Sequence, residues 1–72
     1  MIGHLDGKII HIGSGTLILD VNGVGYKISV NIDQALKLGE KRGFFIHEHI
    51  REDAYDLYGF LNASDLNLFE RL

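Results

Sequence analysis

The residues best equipped for chemistry in this chain are four histidines, three serines and a pair of adjacent acids. His47 and His49 stand two apart, a spacing that puts both imidazoles on one face of a β-strand. Such a pair is part of a metal site, but a complete one takes three or four ligands in the right geometry. The chain has no cysteine, and Glu48 belongs to the opposite face of the same strand. The pair therefore reads as exposed polar surface. Ser14 sits in a glycine turn, Ser29 in mid-strand and Ser64 at a helix start. None has the nucleophile-elbow pattern or an evident base beside it. Gly13-Ser14-Gly15 is followed by neither a helix nor Lys-Ser/Thr, and Gly23-Val24-Gly25 opens a strand. Neither is a phosphate loop or a dinucleotide fingerprint. No metal, cofactor or nucleophile is expected, and an enzyme is the least supported class.

The adjacent acids are Glu52 and Asp53, preceded by Arg51. They fall between two stretches of strand character, so they form the tip of a hairpin. Acids at a projecting turn are ordinarily just solvated. Near DNA they acquire a specific effect, because a carboxylate pair repels phosphates and can steer strands apart.

The elements that position this tip follow from periodicity. Gly3 to Ile12 is apolar and β-branched, a strand bent at its glycines. Thr16 to Val21 alternates, with Leu17, Leu19 and Val21 on one face. Asn22-Gly23 then marks a type I′ hairpin turn into Gly25 to Val30, whose Tyr26, Ile28 and Val30 share a face. Asn31 to Leu38 predicts a short helix capped by Asn31 or Asp33 and stopped by Gly39. Phe44 to Ile50 predicts a strand with Phe44, Ile46 and Ile50 inward and Phe45, His47 and His49 outward. Ala54 to Phe60 is the next strand, and Asn62 or Ser64 caps a last helix carrying Leu66, Leu68, Phe69 and Leu72. That helix ends on an apolar residue with no stop signal, as a segment leading onward would.

Seventy-two residues make one domain, and a chain of this size buries only about 60% of the surface it exposes when unfolded. The hydrophobic fraction of 46% and charged fraction of 24% are those of an ordinary globular domain. No apolar run approaches a membrane span, and the start lacks the form of a signal peptide. A soluble, intracellular protein is expected. Nine glycines and no proline point to a small β protein. Five strands, with a short helix between the third and fourth and a helix at the end, predict an all-β, five-stranded antiparallel OB-fold barrel. The barrel is expected over residues 1–62 and the terminal helix over 63–72. The net charge of −3 is unevenly placed, +1 up to His47 and −4 from Glu48 onward. An acidic last third argues against a free-standing nucleic-acid binder, which carries a basic face. OB barrels also bind single strands by stacking bases on exposed aromatics such as Phe45, but the basic residues here are scattered.

Several of these stretches resemble one family. Met1-Ile2-Gly3 with Leu5 and Gly7, then Asn22-Gly23-Val24-Gly25-Tyr26, are similar to the start of the RuvA family of Holliday-junction-binding subunits. Arg51-Glu52-Asp53-Ala54 followed by Leu57-Tyr58-Gly59-Phe60 resembles its signature, and Leu68-Phe69 falls at the matching distance behind. The resemblance covers nearly the whole chain and is to the N-terminal OB domain. It implies a cytoplasmic homotetramer on a four-way DNA junction in recombination and repair. Glu52 and Asp53 would be the acidic pin that separates strands, and Arg51 would lie close to DNA. It implies no catalytic residue, no cofactor and no ATP site. The ATP-driven RuvB motor and the RuvC resolvase would be partners in the pathway. Helix-hairpin-helix motifs in a second domain would supply most phosphate contacts, and a third domain the motor contact. His4 and Asp6 depart from the family by standing where relatives often carry bases. Two other readings remain: a generic single-strand-binding module, and an interaction domain whose acidic tip meets a basic partner.

Overall fold

The computed structural model describes residues 1–31 and 36–71. Half of the expected helix over Asn31 to Leu38, residues 32–35, lies outside the described ones. Five strands run in the order β1 (His4–Ile12), β2 (Thr16–Val21), β3 (Val24–Ser29), β4 (Lys41–Arg51) and β5 (Ala54–Phe60), followed by α1 (Ala63–Glu70). They form a closed barrel in the spatial order β1-β2-β3-β5-β4, the OB-fold architecture. Closure removes the free sheet edges that a chain this small could not otherwise cover.

The β2–β3 turn is the one its residues dictate. Asn22 and Gly23 both adopt positive φ, 53° and 88°, and Val21 pairs with Val24 across them. Two consecutive left-handed residues match the turn to the twist of the strands. β1 is shared between two neighbours. It pairs with β4 from His4 to Lys8 and with β2 from Lys8 onward. Gly7 stands at the changeover, where a Cβ would lie 2.3 Å from the Asp20 carbonyl oxygen. Only a residue without a side chain permits that approach.

The core comprises Ile9, Leu17, Leu19, Ile28, Phe44, Ile46 and Leu57, all buried. These are the period-two positions of each strand, so the alternation reads out the barrel interior directly. The β1–β2 register shifts between Ile9 and His11, and Ile10 and Ile12 are exposed. Two expectations need correction. β4 starts at Lys41, three residues before the apolar run, because β1 supplies partners for Lys41, Arg42 and Gly43. Ile50 has the inward parity but is 65% exposed, because the strand has left the barrel by that point.

The barrel closes through a single parallel pair, Ser29 with Tyr58, while the other four ladders are antiparallel. Beside this seam lies a groove of about 260 Å³ lined by Val30, Asn31, Phe60 and Phe69 among others. Among the described residues no helix is long and apolar enough to cross a membrane.

Candidate functional site

β4 and β5 outrun the barrel. β1 pairs with β4 only as far as Phe45, after which the Ile46 amide still donates to the Gly3 carbonyl at 2.9 Å. β3 meets β5 at Tyr58. From Glu48 and Leu57 outward the two strands pair only with each other, ending at Arg51 opposite Ala54. The result is a two-stranded arm with Glu52 and Asp53 as its two-residue turn.

Both acids of the turn are exposed. Neither carboxylate takes a hydrogen bond or ion pair among the described residues, so their charge is directed outward. Arg51 does not neutralise them. Its Nη2 donates to Asp56 Oδ2 at 3.2 Å across the ladder. The arm as a whole carries Glu48, Glu52, Asp53 and Asp56 against Arg51. Chemically it offers repulsion to phosphates and attraction to cations.

The two faces of the arm differ. The face continuous with the barrel interior carries Glu48, Ile50 and Tyr55. Ile50 and Tyr55 are cross-strand partners, and Tyr55 is 55% exposed. Glu48 is engaged on both oxygens: Oε1 accepts the Ile2 amide at 2.6 Å, and Oε2 accepts the Tyr55 hydroxyl. These bonds hold the Glu48 carboxyl below the usual carboxylate range, the Tyr55 hydroxyl first and the Ile2 amide second. The same bond to Glu48 pushes the Tyr55 phenol up. The sequence pattern shows that Glu48 faces away from the histidines, but nothing local reveals its partners, one of which lies at the far end of the chain.

The opposite face carries His47, His49 and Arg51. His47 and His49 share this face as expected, but they do not act together. His47 Nδ1 lies 2.8 Å from Glu70 Oε2 on α1, and its ring packs edge-on against Phe69 at 5.2 Å. Phe69 also meets Tyr58 at 5.4 Å and Phe60 at 5.1 Å. This aromatic cluster docks α1 on the barrel wall beside the base of the arm, with edge and tilted ring contacts worth a modest gain beyond area burial. His49 stays exposed. Among the described residues no three His, Cys, Asp or Glu side chains gather to hold a metal.

The helix itself starts as its residues require. Of the two expected caps, Asn62 is the one used, accepting the Asp65 amide at 2.8 Å, and Asp65 suits the positive end of the helix. Phe45, the aromatic that base stacking would need, is half-buried, with the His4 ring edge-on to it at 5.0 Å. The Gly13–Gly15 segment is a strand turn, closed by the Gly13 amide on the Thr16 carbonyl at 2.8 Å.

Comparison with known proteins decides the family. The sequence profile of the RuvA N terminal domain matches residues 1–59. The chain belongs to this family. Among curated RuvA proteins, that of Halothermothrix orenii is 42% identical over 73 residues, covering all of this chain and 38% of its own length. The Syntrophobacter fumaroxidans protein is 41% identical over 75 residues with the same coverage. The Bdellovibrio bacteriovorus protein is 45% identical over 74 residues, covering 96% of this chain and 37% of its own. Each is named a Holliday junction branch migration complex subunit RuvA. The chain thus spans well under half the length of these RuvA relatives.

Proposed function

We propose that this domain is the strand-separating centre of a Holliday-junction-binding subunit that acts in branch migration during recombination and repair. The observation that carries this reading is the position of Glu52 and Asp53. They form the outward turn of an arm that leaves a closed barrel, in a chain of the RuvA N-terminal family. A carboxylate pair at a junction crossover repels the phosphates of both strands, so it disfavours re-pairing there while attraction elsewhere holds the arms. Arg51 lies at the base of the turn and is the arm's cationic group nearest that DNA.

The domain works as a cytoplasmic homotetramer, four copies bringing four tips to one crossover. It binds four-way DNA through the full-length protein, whose other domains hold the phosphates and meet the RuvB motor, with RuvC resolving the product. The chain does no bond chemistry and needs no cofactor, since repulsion and positioning are electrostatic.

The test is a junction-binding titration of the full-length protein with Glu52→Gln and Asp53→Asn. Removing the repulsion tightens binding to a static four-way junction, with a salt dependence of the gain. Strand separation by the complex slows in parallel. Weaker junction binding by the double variant overturns the repulsive role. A second titration separates domains: this chain alone binds the junction weakly, and tight binding by it would place the phosphate contacts in the barrel instead.

A further inference from the structure

Glu48 stands at the level where two kinds of support for the arm run out together. At that level Leu57, paired with Glu48, is buried, as is Ile46 further in, whereas Ile50 and Tyr55, two pairs further out, are exposed. The β1–β4 ladder has ended at Phe45 and the β3–β5 pair lies at Tyr58. A two-stranded ribbon without a third strand is marginal in water and twists more freely than a sheet. The tip is therefore aimed only as well as the base of the ribbon is held. At that base one carboxylate joins three segments. It belongs to β4, accepts the backbone amide of Ile2 at 2.6 Å, and accepts the hydroxyl of Tyr55 on β5. Two bonds on two different oxygens fix the plane of the group as well as its position.

We infer that Glu48 is a positioning residue for the acidic tip, latching the arm to the N-terminal backbone and to Tyr55 so that Glu52 and Asp53 project at a set angle from the barrel. The inference rests on the proposed function only for what the tip does once aimed; the latch itself is a property of the chain without DNA. Both bonds favour the ionised carboxylate and the protonated phenol. The folded-state acidity of Glu48 is lowered, so the latch is complete above the ordinary glutamate range, about 4.3, and is lost as the pH falls through the lower folded value. The charged and titratable groups around it are the α-ammonium of Met1, Tyr55 itself and, near Tyr55, Tyr26 of β3. Glu52 and Asp53 are further carboxyl groups on the same arm, so a variant must separate their effect from that of Glu48.

The experiment is NMR on this chain without DNA, reading residual dipolar couplings and amide exchange of Ile50 to Ala54 against the barrel frame. Glu48→Ala reorients the arm and lowers its exchange protection by about tenfold, as loss of local hydrogen bonds does, while the barrel amides stay as they were. Tyr55→Phe, at an exposed position, removes one bond only and gives a smaller change of the same kind. Glu48→Gln restores the wild-type couplings, because an amide can accept from Ile2 and donate to the tyrosine oxygen. It also abolishes the acid-dependent loosening expected of the wild type. Unchanged arm couplings in both Glu48→Ala and Tyr55→Phe overturn the latch, as does an acid profile that Glu48→Gln retains. Since no DNA is present, these outcomes are independent of whether the tip repels a junction.

Discussion

The barrel and the arm share two strands, β4 and β5, yet they are held by different forces. Up to the Glu48–Leu57 pair, β4 and β5 contribute Phe44, Ile46 and Leu57 to a buried core shared with β1, β2 and β3. Above it they contribute no buried residue, and the described contacts are polar: Glu48 with Ile2 and Tyr55, Arg51 with Asp56. Apolar burial is strong and non-directional, so it makes the barrel stable and indifferent to small changes of solvent. Exposed hydrogen bonds and ion pairs add little stability but fix direction, and they respond to pH and salt. A hairpin that must present charge at a defined place needs the second kind of support, provided the first anchors its base.

The largest effect that would break this division is Phe44→Ala. Phe44 is fully buried, and truncating a core aromatic costs about 3–5 kcal/mol. In a domain this small that is much of its stability, so denaturant unfolding should show barrel and arm lost together. Equal loss from truncating an arm residue such as Ile50 would mean that the arm shares the core after all. Asn62→Ala is intermediate. Losing the cap bond to Asp65 costs about 1 kcal/mol, and circular dichroism with amide exchange should show α1 fraying while the barrel keeps its protection. Glu52→Gln with Asp53→Asn is smallest, within about 0.5 kcal/mol of wild type. Thermal unfolding that moved further than that would show that the tip has a structural role.

The barrel was legible in the sequence because its information is local. Thr16 to Val21 and Ala54 to Phe60 alternate cleanly, and the structure gives both strands those bounds. Asn22-Gly23 and Arg51-Glu52-Asp53-Ala54 each carry enough turn chemistry to place a hairpin. The parts that were not legible depend on partners distant in sequence. Lys41 and Arg42 have no strand pattern of their own and become strand because β1 pairs with them. Ile50 has inward parity, but parity cannot say where the barrel ends. The bulge at Ile9 to His11 left no compositional trace. The candidate site divides in the same way. Its acids are obvious as residue types at a turn, whereas the Glu48 bond to Ile2 and the His47 contact with Glu70 are long-range and polar, and no periodicity reports them. His-x-His spacing drew notice as a ligand pattern, but its first histidine is a packing residue under α1.

The closing pair of the barrel has a kinetic consequence. The β1–β2, β2–β3 and β4–β5 ladders each join strands adjacent in sequence, whereas the β1–β3 unit meets the β4–β5 hairpin through the β1–β4 ladder on one side and through one parallel bridge, Ser29 with Tyr58, on the other. Loop-closure entropy must be spent before so thin a contact returns anything. Assembly of the two units, then their pairing through β1 and β4, with the seam closing last, is the order the topology favours, and the seam is correspondingly the place where the finished barrel has least to lose by opening.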